Sequence, residues 1–249
     1  MIPTRNILIY VWLGRHFPSW MKDSLAISWR NSKISTVLLS NSSAGNFPDV
    51  DHQIFIEDFY IHEPSVMPIK TRTKAHNFRD GFWIKTSERF LVLASFVKKY
   101  KIESFFHAEL DVAVFGLNGL GERLDTYASG FFCPRDSVDR GIASLIYCNN
   151  VDTLKSLVAK MSCLDGESVN DMSILGELLK SEQNFYSLPT ERELNLGSTN
   201  SQWRTVPLHV SGGIFDAAAI GQYLFGIDSR NTSNLLLKNG FKNENCGIN

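Results

Sequence analysis

The run Ser104 to Gly116, SFFHAELDVAVFG, sets two carboxylates, Glu109 and Asp111, inside an otherwise apolar stretch. A buried strand of an α/β sheet reads as a near-continuous hydrophobic run, and an unpaired carboxylate inside one costs several kcal/mol unless a charge or donor compensates it. At positions i and i+2 the two acids share a face if the strand runs on undisturbed, with Leu110 turned the other way. Both could then converge on one hard divalent cation, which prefers oxygen ligands. His107 has the same parity and either joins that site or packs beside it. The plainer reading is that the acids end a strand and are hydrogen-bonded by a neighbouring loop. The context favours chemistry, because an apolar segment, Ile102 to Phe106, runs into the acids and another, Val112 to Phe115, leaves them.

This stretch resembles the D-x-D segment of GT-A glycosyltransferases, with Glu109 in the first acidic position. The resemblance implies that Asp111 binds Mn²⁺ or Mg²⁺ held by the diphosphate of a nucleotide sugar, and that Glu109 contacts ribose or, through water, the metal. The preceding segment, RDGFWIKTSERFLVLASFVKKYKI, is similar to the helix before the D-x-D strand in bacterial and viral sugar transferases, which would bring Arg79 and Asp80 close to the nucleotide. In inverting members an acid at a later helix start deprotonates the acceptor hydroxyl. Asp171 in the tripeptide NDM holds the comparable place, where Asn170 replaces the usual Glu of a Glu-Asp pair. As a residue alone, Asp171 is equally a helix-start acid that favours the dipole.

A second dense stretch, His209 to Arg230, also resembles a C-terminal segment of microbial and large-virus glycosyltransferase-like proteins. By that likeness Asp216 is a second candidate base or acceptor binder, and His209 completes the metal shell. A lone His is otherwise most often a satisfied structural residue. Trp203, in a polar stretch, is a candidate for stacking on a sugar or base.

These residues need elements to position them. Asn6 to Leu13, Ile34 to Leu39 and Gln53 to Ile56 read as strands, with a helix from Trp20 to Arg30 that Ser19 can cap. Residues 58–79, with Pro64 and Pro68, form a long loop, and Phe82 to Tyr100 is the strongest helix, its basic residues gathered at the C-terminal end. Further on come a helix from Leu117 to Leu124, strands Tyr127 to Cys133 and Ile142 to Tyr147, helices Val151 to Met161 and Val169 to Leu179, and a strand Phe185 to Leu188. The alternation predicts an α/β fold with a mostly parallel central sheet flanked by helices. One GT-A-like domain, 1–249, is expected, its nucleotide-binding half 1–116 and its acceptor-binding half 117–249. Ligands in such sheets gather at the carboxyl ends of the strands, which places Val11, Trp12 and Leu13, in the stretch up to Arg15, against the nucleotide.

Composition narrows the classes. Hydrophobic residues at 43% and charged ones at 20% fit a folded domain. A formal charge of −1 gives no general pull toward nucleic acid or an anionic membrane. The longest apolar run, Phe90 to Val97, is too short to span a bilayer, and the N-terminus reads as a first strand rather than a signal peptide. The four cysteines have no zinc-like spacing and suit a reducing cytosol, so a cytoplasmic location is expected. The function these readings imply is metal-dependent transfer of a sugar from a nucleotide diphosphate, UDP-linked by expectation, to a glycan acceptor, with inversion favoured by the carboxylate at the helix start. The alternatives are a non-catalytic sugar-nucleotide or glycan-binding module of the same fold, and a metal-dependent phosphohydrolase using the same acids.

Overall fold

A computed structural model of the chain describes residues 1–14, 16–60, 82–137, 139–163, 170–190 and 204–216. The candidates Arg79, Asp80 and Trp203, together with Arg15 and everything from 217 onward, lie outside the described residues. In order the elements are β1 (Ile7–Trp12), α1 (Ser19–Asn31), β2 (Thr36–Ser40), β3 (His52–Phe55), α2 (Phe82–Tyr100), β4 (Phe105–Ala108) and α3 (Leu120–Tyr127). They continue as β5 (Phe131–Ser137), β6 (Arg140–Gly141), β7 (Leu145–Cys148), α4 (Val151–Cys163), α5 (Asp171–Ser181), β8 (Phe185–Leu188) and the single turn α6 (Leu208–Ser211).

The strands form one central sheet in the order β3-β2-β1-β4-β7-β5-β6, with β8 also pairing β5. The block from β3 to β4 is parallel, as is β5 with β8, so the α/β class and the mostly parallel sheet follow the sequence expectation. β7 is antiparallel to both β4 and β5, and β6 is antiparallel to β5.

Alternation along the strands explains why two layers of helices are needed. Ile7 and Ile9 face one side of the sheet, where α2, α4 and α5 supply Phe90, Phe96, Leu154, Leu157 and Ile174. Leu8 and Tyr10 face the other, against Leu25 of α1 and Leu120 and Leu124 of α3. With both faces covered, β1 and β2 are buried along nearly their whole length and are apolar at most positions, Thr36 and Ser40 at the ends of β2 being the buried polar ones. Among the described residues no helix is long and apolar enough to cross a membrane.

Several boundaries differ from those read in the sequence. α3 runs on to Tyr127, so the following strand starts at Phe131. Ile142 does not open β7, because its N–H donates to Pro134 O at 2.7 Å in the β5–β6 hairpin; β7 starts at Leu145. Ser19 lies inside α1, and the residue before the helix, Pro18, offers no side-chain cap.

Candidate active site

β4 delivers the acids but does not contain them. Its pairing with β7 ends at Ala108 opposite Leu145, and Glu109 N–H turns to Ser144 O at 3.3 Å. Val112 N–H then donates to Glu109 O at 2.9 Å, closing a turn over Glu109–Leu110–Asp111. The premise that the two carboxylates share a strand face is therefore corrected: they stand in a tight turn at the carboxyl end of β4. This also removes the burial cost, since Glu109 keeps 30% of its side chain exposed and Asp111 is exposed.

Strand parity still governs what lies behind the turn. Phe105 packs on the α2 face of the sheet, and His107, two residues on, follows it. His107 Nδ1–H donates to Ile9 O at 2.9 Å, and the ring meets Phe90 edge-on at 6.1 Å between centroids. Because a carbonyl only accepts, this bond fixes the neutral tautomer with the proton on Nδ1. Burial, with the neighbouring Arg89 charge adding to it, pushes its pKa down to about 3.

Arg89 of α2 is the residue the sequence reading passed over. It occupies the helix's apolar stripe with Leu93 and Phe96, and is 8% exposed. Its Nη1 bonds Glu109 Oε1 at 2.5 Å and its Nη2 bonds Asp171 Oδ2 at 2.7 Å. Burial alone would lower its pKa, but the two carboxylates more than offset this and hold it charged. A buried charge is tolerated when it is paired and hydrogen-bonded. The signal was present in the sequence: Arg89 breaks an apolar helix face just as Glu109 breaks an apolar run.

Asp171 stands at the start of α5, as expected, behind an Asn170–Ser173 capping box in which each residue's side chain bonds the other's backbone N–H at 3.0 Å. It is 2% exposed, and Thr86 Oγ1 donates to its second oxygen at 3.4 Å. Burial raises its pKa above the usual carboxylate range; Arg89 pulls it down and the Glu109 charge pushes it up. Both oxygens thus serve the interior, on Arg89 and Thr86.

Val11, Trp12 and Leu13, at the carboxyl end of β1, wall one cavity of about 400 Å³ together with Arg89, Glu109 and Asp111. Gly14 leaves room for that wall: a Cβ at that position would lie 2.3 Å from Cζ2 of the Trp12 indole, which would have to shift. The indole in turn meets Phe17 edge-on at 5.3 Å. The Asp111 carboxyl, although exposed, is pushed above its usual range first by the surrounding protein and then by the Glu109 charge. Among the described residues no cation lies within ion-pair distance of it.

The remaining expectations divide. Asp216 is exposed, and its backbone O accepts from Ser144 Oγ at 3.0 Å; since Ser144 O holds Glu109 N–H, one serine ties Asp216 to the acid turn. His209, exposed on α6, does not join the acids, and among the described residues no three His, Cys, Asp or Glu side chains converge as a metal site. A metal role for His209 stays an expectation of the likeness. α6 packs on α3, where Arg123 Nε donates to Val210 O at 2.8 Å.

No family model matches the chain, and no curated protein is similar to it. Solved structures with a related outline include the glycosyltransferase GlyE of Streptococcus pneumoniae TIGR4, at 17% identity and a TM-score of 0.43 over 77% of this chain and 47% of that one. A cytidylyltransferase from Leptospira borgpetersenii has 15% identity and a TM-score of 0.43, with 81% and 79% covered. An active-site mutant of LgtC has 12% identity and a TM-score of 0.44, with 85% of each chain covered. The chain spans about half the length of the GlyE chains it matches. These likenesses are too distant to carry substrate or mechanism across.

Proposed function

We propose that this protein transfers a sugar from a nucleotide diphosphate donor, UDP-linked, to a glycan acceptor with the help of Mn²⁺ or Mg²⁺. The observation that carries the reading is Asp111 lining the cavity at the carboxyl ends of β1 and β4, without a cationic partner among the described residues while its neighbour Glu109 is paired with Arg89. Two carboxylates stand in one turn, and Asp111, raised in pKa first by the surrounding protein and then by the Glu109 charge, carries a negative charge that a cation would relieve. The donor set fits a metal that takes one or two protein carboxylates and fills its other positions with phosphate oxygens and water, as Mg²⁺ does.

Such a cation supplies Lewis-acid stabilisation to a departing diphosphate. The residues of the chain do the rest. Asp111 holds the cation, Arg89 fixes Glu109 beside it, and Val11 to Leu13 wall the nucleotide. The base role suits Asp216 better than Asp171, because Asp216 is exposed and tied through Ser144 to the acid turn. Asp171, buried and bonded to Arg89, holds the guanidinium in place. A base at Asp216, reaching the acceptor hydroxyl, would favour inversion.

The same burial of Asp171 favours a second reading, a sugar-nucleotide-binding module without catalysis, because it withdraws one of the two candidate bases. Incubation with UDP-sugars and Mn²⁺, following release of free UDP with and without glycan acceptors, separates the two. Acceptor-stimulated UDP release supports transfer, binding without release supports the module, and release of inorganic phosphate points to a phosphohydrolase.

A further inference from the structure

Among the described residues that wall the cavity, the positive charges are those of Arg89 and Lys85. The Arg89 charge is committed to the protein itself, one arm on Glu109 and the other on Asp171. Lys85 differs: it is exposed, and among the described residues it makes no ion pair, with Asp111 or with any other acid.

Its place in α2 sharpens the contrast. The helix leads into β4 through Lys101 to Ser104, so its last turn lies at the amino end of that strand and its first turn, which holds Lys85, at the carboxyl end with the acids. Lys85 and Arg89 are four residues apart and share a helix face. Side chains tilt toward the helix N-terminus, which carries the ammonium beyond the guanidinium and away from the body of the sheet. A cation in the first turn opposes the helix dipole, which favours basic residues at the far end, where Lys98 and Lys99 stand. No acid in that first turn offsets it. Lys85 is therefore a positive charge on the cavity wall, set against the dipole and without an anion of the protein to meet.

We propose that the Lys85 ammonium binds the diphosphate of the donor, at phosphate oxygens other than those that a cation on Asp111 would take. The inference rests on the nucleotide-sugar reading and deepens it by assigning a residue that meets the diphosphate directly. A divalent cation shared with Asp111 offsets only part of a diphosphate's charge, and with Arg89 already paired, Lys85 is the cation of the wall left for the remaining oxygens. An ammonium offers three donors and binds phosphate as a compact charge. In the transfer step the bond from the anomeric carbon to the phosphate oxygen breaks and its electron pair stays on the phosphate, while the acceptor oxygen bonds that carbon and gives its proton to the base. The ammonium stays protonated, and its attraction to the phosphate oxygens grows as their charge does.

The test uses the whole chain. Lys85→Met removes the charge and keeps the length of an exposed side chain, and Lys85→Arg keeps a cation. UDP, UMP and uridine in Mn²⁺, and magnesium pyrophosphate, are titrated calorimetrically into wild type and both variants. Lys85→Met is expected to weaken UDP by about three- to tenfold, between an exposed pair and a desolvated charge-assisted bond, with UMP weakened less and uridine unchanged. The difference from wild type should shrink as salt is raised, Lys85→Arg should recover most of the affinity, and turnover in Lys85→Met should fall by more than UDP affinity does. UDP affinity in Lys85→Met within about twofold of wild type, less than one such contact supplies, would overturn the inference and leave the nucleotide-sugar reading standing. Equal losses for uridine and UDP would overturn it as well, since they mark a wall residue rather than a phosphate ligand, as would a loss confined to UDP-glucuronate, which marks a sugar carboxylate. If wild type binds no UDP with any metal, the nucleotide-sugar reading fails and magnesium pyrophosphate decides the inference: weaker binding to Lys85→Met than to wild type keeps a diphosphate site at Lys85, and equal or absent binding overturns it.

Discussion

Arg89 on α2 and Asp171 at the first turn of α5, 82 residues apart in sequence, meet at 2.7 Å with both side chains sealed from solvent. Through the other arm of the same guanidinium, at 2.5 Å, Glu109 in the β4 turn is joined to them. One cation therefore links the turn that carries the acids to a helix from the later part of the chain. The geometry of the acid turn and the seat of α5 are set together.

The first prediction concerns that cation. Arg89→Met fills the space but leaves Glu109 and Asp171 without their partner, and breaking a buried pair in this way costs about 3–5 kcal/mol. With the guanidinium gone, burial and then the Glu109 charge hold the Asp171 pKa still higher, so its ionisation opposes folding increasingly as pH rises. Chemical denaturation should show the loss greatest near pH 8 and smaller near pH 5. A loss that grows on acidification would contradict the assignment of Arg89 as their common partner.

Acid sensitivity follows from His107. Its pKa in the folded protein, about 3, lies below the ordinary value of 6.5, so between those pH values the unfolded chain binds the extra proton. The stability contributed by the neutral ring is fully present above pH 6.5 and is lost as pH falls toward 3, by up to about 1.4 kcal/mol per pH unit. Replacing His107 with the non-titrating Gln should flatten the stability profile between pH 6 and pH 4 by that slope. Parallel profiles for the two proteins would show that His107 titrates normally.

Much of this arrangement was legible in the chain, and the omissions share a cause. The strand and helix alternation reads directly from apolar runs such as ILIYVW, because strands covered on both faces cannot hide their composition. Glu109 and Asp111 stood out for the same reason. That they sit in a turn was not legible, because β4 ends where its partner β7 ends, at the Ala108–Leu145 pair, and that register is set across the sheet. Arg89 was missed because its two partners lie 20 and 82 residues away. For His209 the sequence offers only a likeness, and the packing of α6 on α3 is set by the tertiary fold.

The base is decided by kinetics. Asp216→Asn should lower turnover of sugar transfer by about 10²- to 10⁴-fold, the range for loss of a general base, with donor affinity nearly unchanged. Asp171→Asn should instead lower the melting temperature, since it removes one of the two carboxylates that neutralise buried Arg89. If Asp171→Asn folds with wild-type stability and shows the larger loss of turnover, the roles are reversed.

Gly14 gives a steric test of the cavity wall. In Gly14→Ala the new methyl meets the Trp12 indole, which has room to swing into the cavity at a cost below about 1.5 kcal/mol. UDP affinity should fall while stability changes little. Unchanged affinity would place the nucleotide away from the carboxyl end of β1.

The central claim is that Asp111 holds a divalent cation for a nucleotide diphosphate, and calorimetric titration of UDP in the presence and absence of Mn²⁺, for wild type and Asp111→Asn, tests it most directly. Asp111 is exposed and carries no ion pair among the described residues, so the variant should fold as wild type does. The account predicts UDP binding that strengthens at least tenfold with Mn²⁺ in wild type and a variant in which Mn²⁺ no longer matters. Equal Mn²⁺-dependent affinity in the two proteins would contradict it.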